Sequence, residues 1–136
     1  MNYPKIYILG APKCGTTAIR NYLHKHKVVD FSLEEPGYYD AKFRYGPERK
    51  NPYSTSSDYL NLFKDEDKIY GDGSVYMMYD IDIIKGILKN RPDAKFLIFV
   101  RDPIEASISM HGENLKPRKI GREPFENFQD AWKFRT

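Results

Sequence analysis

The chain has 136 residues, with 22 basic and 19 acidic side chains and a formal net charge of +3. That length suits one domain spanning 1–136 and argues against two, while 40% hydrophobic and 15% aromatic residues supply a core that a disordered tail lacks. So mild a charge gives no ground for a nucleic-acid partner, the longest apolar run, Phe96 to Val100, is too short to span a bilayer, and a single cysteine excludes both a disulfide framework and a multi-cysteine zinc site.

Lys5 to Leu9 is a short apolar stretch ending at Gly10 and is expected to form a buried strand. A glycine-containing turn follows, and then Thr16 to Lys27 reads as a helix with Ile19, Tyr22 and Leu23 on one face. Strand, glycine turn and helix together open an α/β domain. From Val28 to Tyr53 the pattern is rich in Pro, Gly and Tyr and predicts mostly loop. Ser56, Ser57 and Asp58 offer capping oxygens to a short helix carrying Tyr59, Leu60, Leu62 and Phe63. Lys68 to Tyr70 predicts a strand running into Gly71-Asp72-Gly73, and Ile81, Ile84, Ile87 and Leu88 recur at helical spacing before Pro92.

Ala94 to Val100 is the clearest strand, apolar on both faces as a central parallel strand should be, and it delivers Arg101 at its carboxyl end. Asp102, Pro103 and Glu105 then combine an N-cap, a proline at the first helical position and a glutamate at the third. Ile104, Ile108 and His111 continue that helix, Lys116 to Pro124 forms a basic loop, and Phe125, Phe128, Ala131 and Trp132 predict a last helix. The expected architecture is an α/β fold, a P-loop-like parallel sheet flanked by helices. In such sheets ligands bind outside the carboxyl ends of the strands, so the turns after Leu9 and after Val100 are where chemistry is expected.

Gly10-Ala11-Pro12-Lys13-Cys14-Gly15-Thr16-Thr17 joins strand to helix. Its backbone N–H groups and the helix N-terminus would cradle an anion, with Lys13 adding a full charge and two hydroxyls completing the shell. The competing reading is an ordinary connecting turn with a chance lysine. A nucleotide-hydrolase P-loop has its lysine directly after the second glycine; here Thr16 stands there and the lysine falls earlier, inside the turn. No obvious strand-end aspartate awaits a magnesium ion, although Asp72 stays open. A nucleotide kinase or hydrolase with an irregular P-loop is therefore the alternative reading.

These residues resemble the sulfotransferases that use 3′-phosphoadenylyl sulfate. The turn 10–17 is similar to their 5′-phosphosulfate loop, and Phe99 to Ser109 is similar to their second motif, an Arg-(Asn/Asp)-Pro with a serine eight residues after the arginine. The resemblance spans roughly residues 4 to 111. It implies that Lys13, Cys14, Gly15, Thr16 and Thr17 hold the donor's phosphosulfate and that Arg101 and Ser109 bind its 3′-phosphate. By residue type alone, Arg101 could equally be a surface ion pair with Glu105, and Ser109 a helix-face hydroxyl. No metal is implied.

Glu34 to Asp40 resembles the segment Lys-Glu-x-His-Phe-Phe-Asp of the glycan-modifying branch, with Glu34 at the lysine position and Gly37 at the histidine. The match implies that Glu35 is the general base and that Asp40 supports acceptor binding; on pattern alone Glu34 and Glu35 are solvated loop charges. Gly71 to Val75 resembles the family's Gly-Glu-Lys-Thr-Pro stretch. His24, His26 and His111 are better explained by capping or packing than by catalysis, Cys14 carries no redox role, and the tyrosines at 38, 39, 45, 53, 76 and 79 receive no assignment. The resemblance implies sulfonate transfer to a hydroxyl, on a carbohydrate or glycoconjugate, and a longer family fold with further helices, another strand and a basic lid. The chain is accordingly expected to be an N-terminal portion, either active or an inactive fragment that binds adenosine 3′,5′-bisphosphate. Its expected setting is soluble and cytoplasmic, or the Golgi lumen if a terminal anchor has been lost.

Overall fold

A computed structural model describes residues 3–31, 35–44, 51–116 and 122–135. Glu34, Tyr45 and, in the basic loop, Arg118, Lys119 and Gly121 lie outside the described residues. Four strands form one parallel sheet: β1 (Ile6–Gly10), β2 (Val29–Phe31), β3 (Ile69–Asp72) and β4 (Lys95–Ile98), in the order β2-β3-β1-β4. The central strand is β1, whose Tyr7, Ile8 and Leu9 are fully buried, as expected for a parallel strand covered on both faces. The clearest strand of the sequence, β4, instead lies at the edge of the described sheet and is shorter than its apolar run. Ile98 and Val100 are exposed by 54% and 84%, because apolar composition records what a strand could bury and not what covers it.

The helices are α1 (Thr16–His24), α2 (Ala41–Arg44), α3 (Ser56–Leu60), α4 (Ile81–Asn90), α5 (Pro103–Asn114) and α6 (Phe128–Arg135), with a 3₁₀ turn at Met77–Tyr79. α1 stops at His24, short of Lys27, and turns Tyr22 outward while Ile19 and Leu23 are half-buried. On α4 the buried seam is Ile83 and Ile87, flanked by Ile84; Ile81 and Leu88 point to solvent. The stretch expected to be mostly loop contains β2 and α2. β2 is three residues long and pairs with β3 in register Val29 with Ile69 and Phe31 with Gly71; so short a strand leaves almost no alternation to read.

Two apolar clusters hold the sheet. Tyr7, Leu9, Met77, Ile83 and Ile87 pack between β1, the 3₁₀ turn and α4, and Tyr59, Phe63 and Tyr70 pack under α3. Tyr38 stacks on Tyr59 with ring centroids 4.5 Å apart, and Tyr39 meets both rings edge-on, so this pair of tyrosines belongs to the core. A Cβ at residue 71 would sit 2.2 Å from the Phe31 ring, which is why glycine stands where β3 passes that side chain. α5 begins as its sequence predicts: the Asp102 carboxylate accepts from the N–H groups of Ile104 and Glu105, with Pro103 at the start of the helix. Among the described residues, no helix is long and apolar enough to cross a membrane.

Candidate active site

The chain runs from β1 through α1 to β2 on one side of the sheet, whereas β4 lies on the other side of β1. The crevice at the carboxyl ends of β1 and β4 is therefore the switch point at which open parallel sheets bind ligands. The two turns singled out in the sequence meet there. Ala11 N–H donates to the Phe99 carbonyl and Phe99 N–H to the Gly10 carbonyl, both at 2.9 Å, so the turn after β1 is tied to the segment that presents Arg101.

Within the β1–α1 turn, Lys13 and Gly15 adopt left-handed backbone conformations, with φ of 65° and 81°. Glycine takes that conformation without strain; lysine at φ > 0 is uncommon and is kept only where the surrounding turn fixes it. Gly15 is the N-cap of α1 and no side chain caps the helix, which leaves its first N–H groups directed at whatever occupies the turn. Cys14 folds back on the turn, its N–H donating to Ala11 O at 3.2 Å and its thiol lying 3.6 Å from Pro12 O.

An open cleft of about 990 Å³ lies over these turns. Lys13, Gly15, Thr16 and Thr17 line it from the β1–α1 turn, and Arg101 and Ser109 line it from β4 and α5. Glu35 lines it as well, although nothing adjacent in sequence connects it to either turn. Of the residues expected to form the site, Cys14 is absent from the wall. Lys13 Nζ pairs with Glu113 Oε2 at 3.3 Å, and Lys116 reaches the same carboxylate at 2.6 Å. Arg101 Nε pairs with Glu105 at 2.9 Å, the ion pair that residue type alone also allowed. Ser107 donates to Pro103 O at 2.7 Å, so its hydroxyl is committed to its own helix.

Two arginines of the cleft wall, Arg20 and Arg44, escaped the sequence reading, and Arg44 is the one tied to Glu35. At the end of α2 its guanidinium donates to Glu35 Oε2 at 2.5 Å and to Asp40 Oδ2 at 3.5 Å, and it lies over the Tyr76 ring, 5.5 Å from the centroid. Asp40 is fully buried and also accepts from Tyr76 N–H. Its carboxyl is pushed up by burial, with Arg44 opposing that shift. The spacing of Asp40 and Arg44, four residues apart on a short helix, was the available signal.

Behind the cleft wall, Asp72 is fully buried. It accepts from Tyr59 Oη at 2.7 Å and from Ser74 N–H at 2.8 Å, and burial raises its pKa. The strand-end carboxylate left open as a magnesium ligand is thus turned into the core. Ser74 Oγ accepts from Gly37 N–H at 2.9 Å, which ties the Glu35 segment to the end of β3. The histidines pack or cap: His24 Nδ1 accepts from Phe31 N–H, His26 Nδ1 lies near Val28 N–H, and His111 Nε2 meets Phe125 O at 2.8 Å.

A four-stranded parallel sheet with a cation-lined crevice at its switch point defines the class as an α/β domain. The crystal structure of a sulfotransferase from Alicyclobacillus acidocaldarius superposes with a TM-score of 0.77 over 96% of this chain and 56% of that one, at 24% identity. In sequence, the chain is 24% identical to the membrane-associated sulfotransferase kil1 of Dictyostelium discoideum, over 89% of this chain and 25% of that protein. It is 28% identical to carbohydrate sulfotransferase 15 of Homo sapiens, over 75% of this chain and 26% of that protein. The chain is thus similar, at 24–28% identity, to proteins named as sulfotransferases. It spans about a quarter of the length of these curated relatives, and no family model matches it.

Proposed function

We propose that this chain carries the donor-binding half of a sulfotransferase site and moves a sulfonate group from 3′-phosphoadenylyl sulfate to a hydroxyl of a carbohydrate or glycoconjugate. One observation carries the reading: the turn after β1 and the segment after β4 are hydrogen-bonded to each other and face one cleft, with Lys13 on one side and Arg101 and Ser109 on the other. The cleft is of the size that nucleotide-sized ligands fill, and its cations and helix N-terminus suit a ligand with anionic groups at two ends. The name of the human relative, a carbohydrate sulfotransferase, supports a carbohydrate acceptor.

The donor supplies an activated sulfonate on a phosphate leaving group. Lys13 and the first N–H groups of α1 stabilise the negative charge that gathers on that phosphate as the S–O bond breaks. Thr16 and Thr17 add hydroxyls, and Cys14 shapes the turn. Arg101 grips the 3′-phosphate with its fork of N–H donors and Ser109 adds a hydroxyl from α5. Glu35 accepts the proton of the acceptor hydroxyl as its oxygen bonds to sulfur, which leaves a sulfate ester and adenosine 3′,5′-bisphosphate. Lys13 and Arg101 are now held by Glu113 and Glu105, so the ligand's anionic groups replace carboxylates at both cations. Adenosine 3′,5′-bisphosphate should raise the melting temperature without added metal, and Arg101→Ala should remove the rise. Stabilisation by ATP with magnesium, and not by the bisphosphate, would overturn the assignment. Transfer of labelled sulfonate to a glycan panel, lost in Glu35→Gln, tests the base.

A further inference from the structure

We propose that Lys116 is a positioning residue for the donor: it keeps hold of Glu113 when the donor's phosphate claims Lys13, and so lets Lys13 leave that carboxylate. The inference rests on the reading of Lys13 as the cation at the donor's leaving phosphate. Lys13, Glu113 and Lys116 all line the cleft. Both lysines reach the same oxygen, Glu113 Oε2, Lys116 at 2.6 Å and Lys13 at 3.3 Å. The nearer contact is local, made three residues along the chain where α5 ends, whereas the longer one joins positions 100 residues apart. The Glu113 side chain is 12% exposed, against 28% for Lys13 and 51% for Lys116. The carboxylate is thus the deepest member of the trio, and a charge so far out of water loses much when its cations leave it.

The fold fixes two of the three partners and leaves the third able to move. α5 is anchored by His111, which is buried, with Nε2 2.8 Å from Phe125 O and its ring against Phe128. Ser109 and Glu113, four residues apart, share the face of α5 that lines the cleft. The helix that offers a hydroxyl to the 3′-phosphate therefore also sets a carboxylate against the lysine of the β1–α1 turn. Lys13 stands on a left-handed backbone, with φ of 65°, in a turn tied to Phe99, so its side chain, and not the turn, must yield when an anion enters. A phosphate then takes the place of Glu113 at Lys13. Were Glu113 to lose both lysines, it would stand beside the incoming phosphate as a bare like charge and repel it. Lys116, the closer and more exposed partner, keeps its contact through the exchange and screens that charge.

The test is a double-mutant cycle read by calorimetry, with the full chain titrated with adenosine 3′,5′-bisphosphate and, separately, with pyrophosphate, which probes the β1–α1 turn without the nucleoside. Glu113→Gln, which removes the competitor, should bind both ligands about three- to ten-fold tighter, and Lys116→Gln about as much weaker. The double variant should bind as Glu113→Gln does, because Lys116 has nothing left to screen, and its tight binding also shows that the fold is intact. Lys116→Arg keeps the charge and should stay within about two-fold of the parent chain. A loss in Lys116→Gln that persists when Glu113 is already Gln would make Lys116 a direct ligand contact and overturn the proposal. Unchanged affinity in Lys116→Gln, or weaker binding in Glu113→Gln, would overturn it as well. If the bisphosphate fails to bind while pyrophosphate shows the expected order, the donor assignment fails and the exchange at Lys13 stands; binding of neither overturns both.

Discussion

The two sides of the cleft are built differently. On the β3 side, the wall rests on buried polar contacts: Asp72 with Tyr59 and Ser74, Ser74 with Gly37, Asp40 with Arg44 and Tyr76. On the β4 side, the wall is a surface: Val100, Ile104 and Ile108 are exposed by 84%, 57% and 48%, and Arg101 is held by an exposed ion pair four residues along. Buried hydrogen bonds lose much when one partner is removed, whereas exposed pairs lose little. Substitutions on the β3 side should therefore cost stability, and those on the β4 side should change ligand binding while the fold persists.

The largest contrast is apolar. Phe31→Ala empties the space around the fully buried ring that fills the gap over Gly71 and is expected to cost about 3–5 kcal/mol. Ile104→Ala, at an exposed position, should stay within about 0.5 kcal/mol. Urea unfolding of the two variants checks both, and similar losses would erase the distinction between the sides.

Next in size is the buried carboxylate. Tyr59→Phe leaves Asp72 without its hydroxyl donor and should cost about 1–3 kcal/mol. Burial raises the pKa of Asp72 above that of an unfolded aspartate, so in that interval the folded state binds more protons than the unfolded one. Its contribution to stability is then fully present below the ordinary aspartate value, about 3.9, and is lost as pH rises through the higher folded value. Asp40 adds a loss of the same sign. Asp72→Asn should flatten the fall in melting temperature that the parent chain shows as pH rises from about 4, and an unaltered slope would locate that dependence elsewhere.

The same division decided what could be read from the sequence. Local signals on both turns were legible: the glycine and lysine of the β1–α1 turn, and the Asp102–Pro103 start of α5, act through backbone geometry within a few residues. What β4 would be covered by was not legible, since Ile98 and Val100 look the same in a sequence whether buried or bare. The Glu35–Arg44 contact was missed because it depends on α2, four residues long, in a stretch without periodicity. Asp72 was ambiguous for a related reason: whether a strand-end carboxylate faces a cleft or the core depends on Tyr59, thirteen residues away on another element.

A smaller effect is expected where α5 starts. Asp102→Ala removes a carboxylate that caps two N–H groups and should cost about 1 kcal/mol. Because Asp102 follows Arg101 directly, a frayed first turn would also misplace the guanidinium, and bisphosphate affinity should fall by more than the loss of stability alone explains. A thermal-shift titration compared with urea unfolding separates the two contributions.

The smallest change in stability, and the sharpest test of the β4 side, is Glu105→Gln. Both partners of its ion pair with Arg101 are well exposed, with side chains accessible by 43% for the arginine and 61% for the glutamate. Pairs of that kind contribute about 0–1 kcal/mol, so the melting temperature should scarcely move. If Glu105 acts as a competitor that occupies Arg101 until a phosphate arrives, its removal spares the ligand that exchange, and bisphosphate affinity should rise by about two- to five-fold, the same energy seen from the ligand's side. If Glu105 instead steadies Arg101 in the direction the ligand needs, affinity should fall. A fall would mean that the exposed side is ordered before the ligand binds, as the buried side is, and the contrast between the two would then concern stability alone.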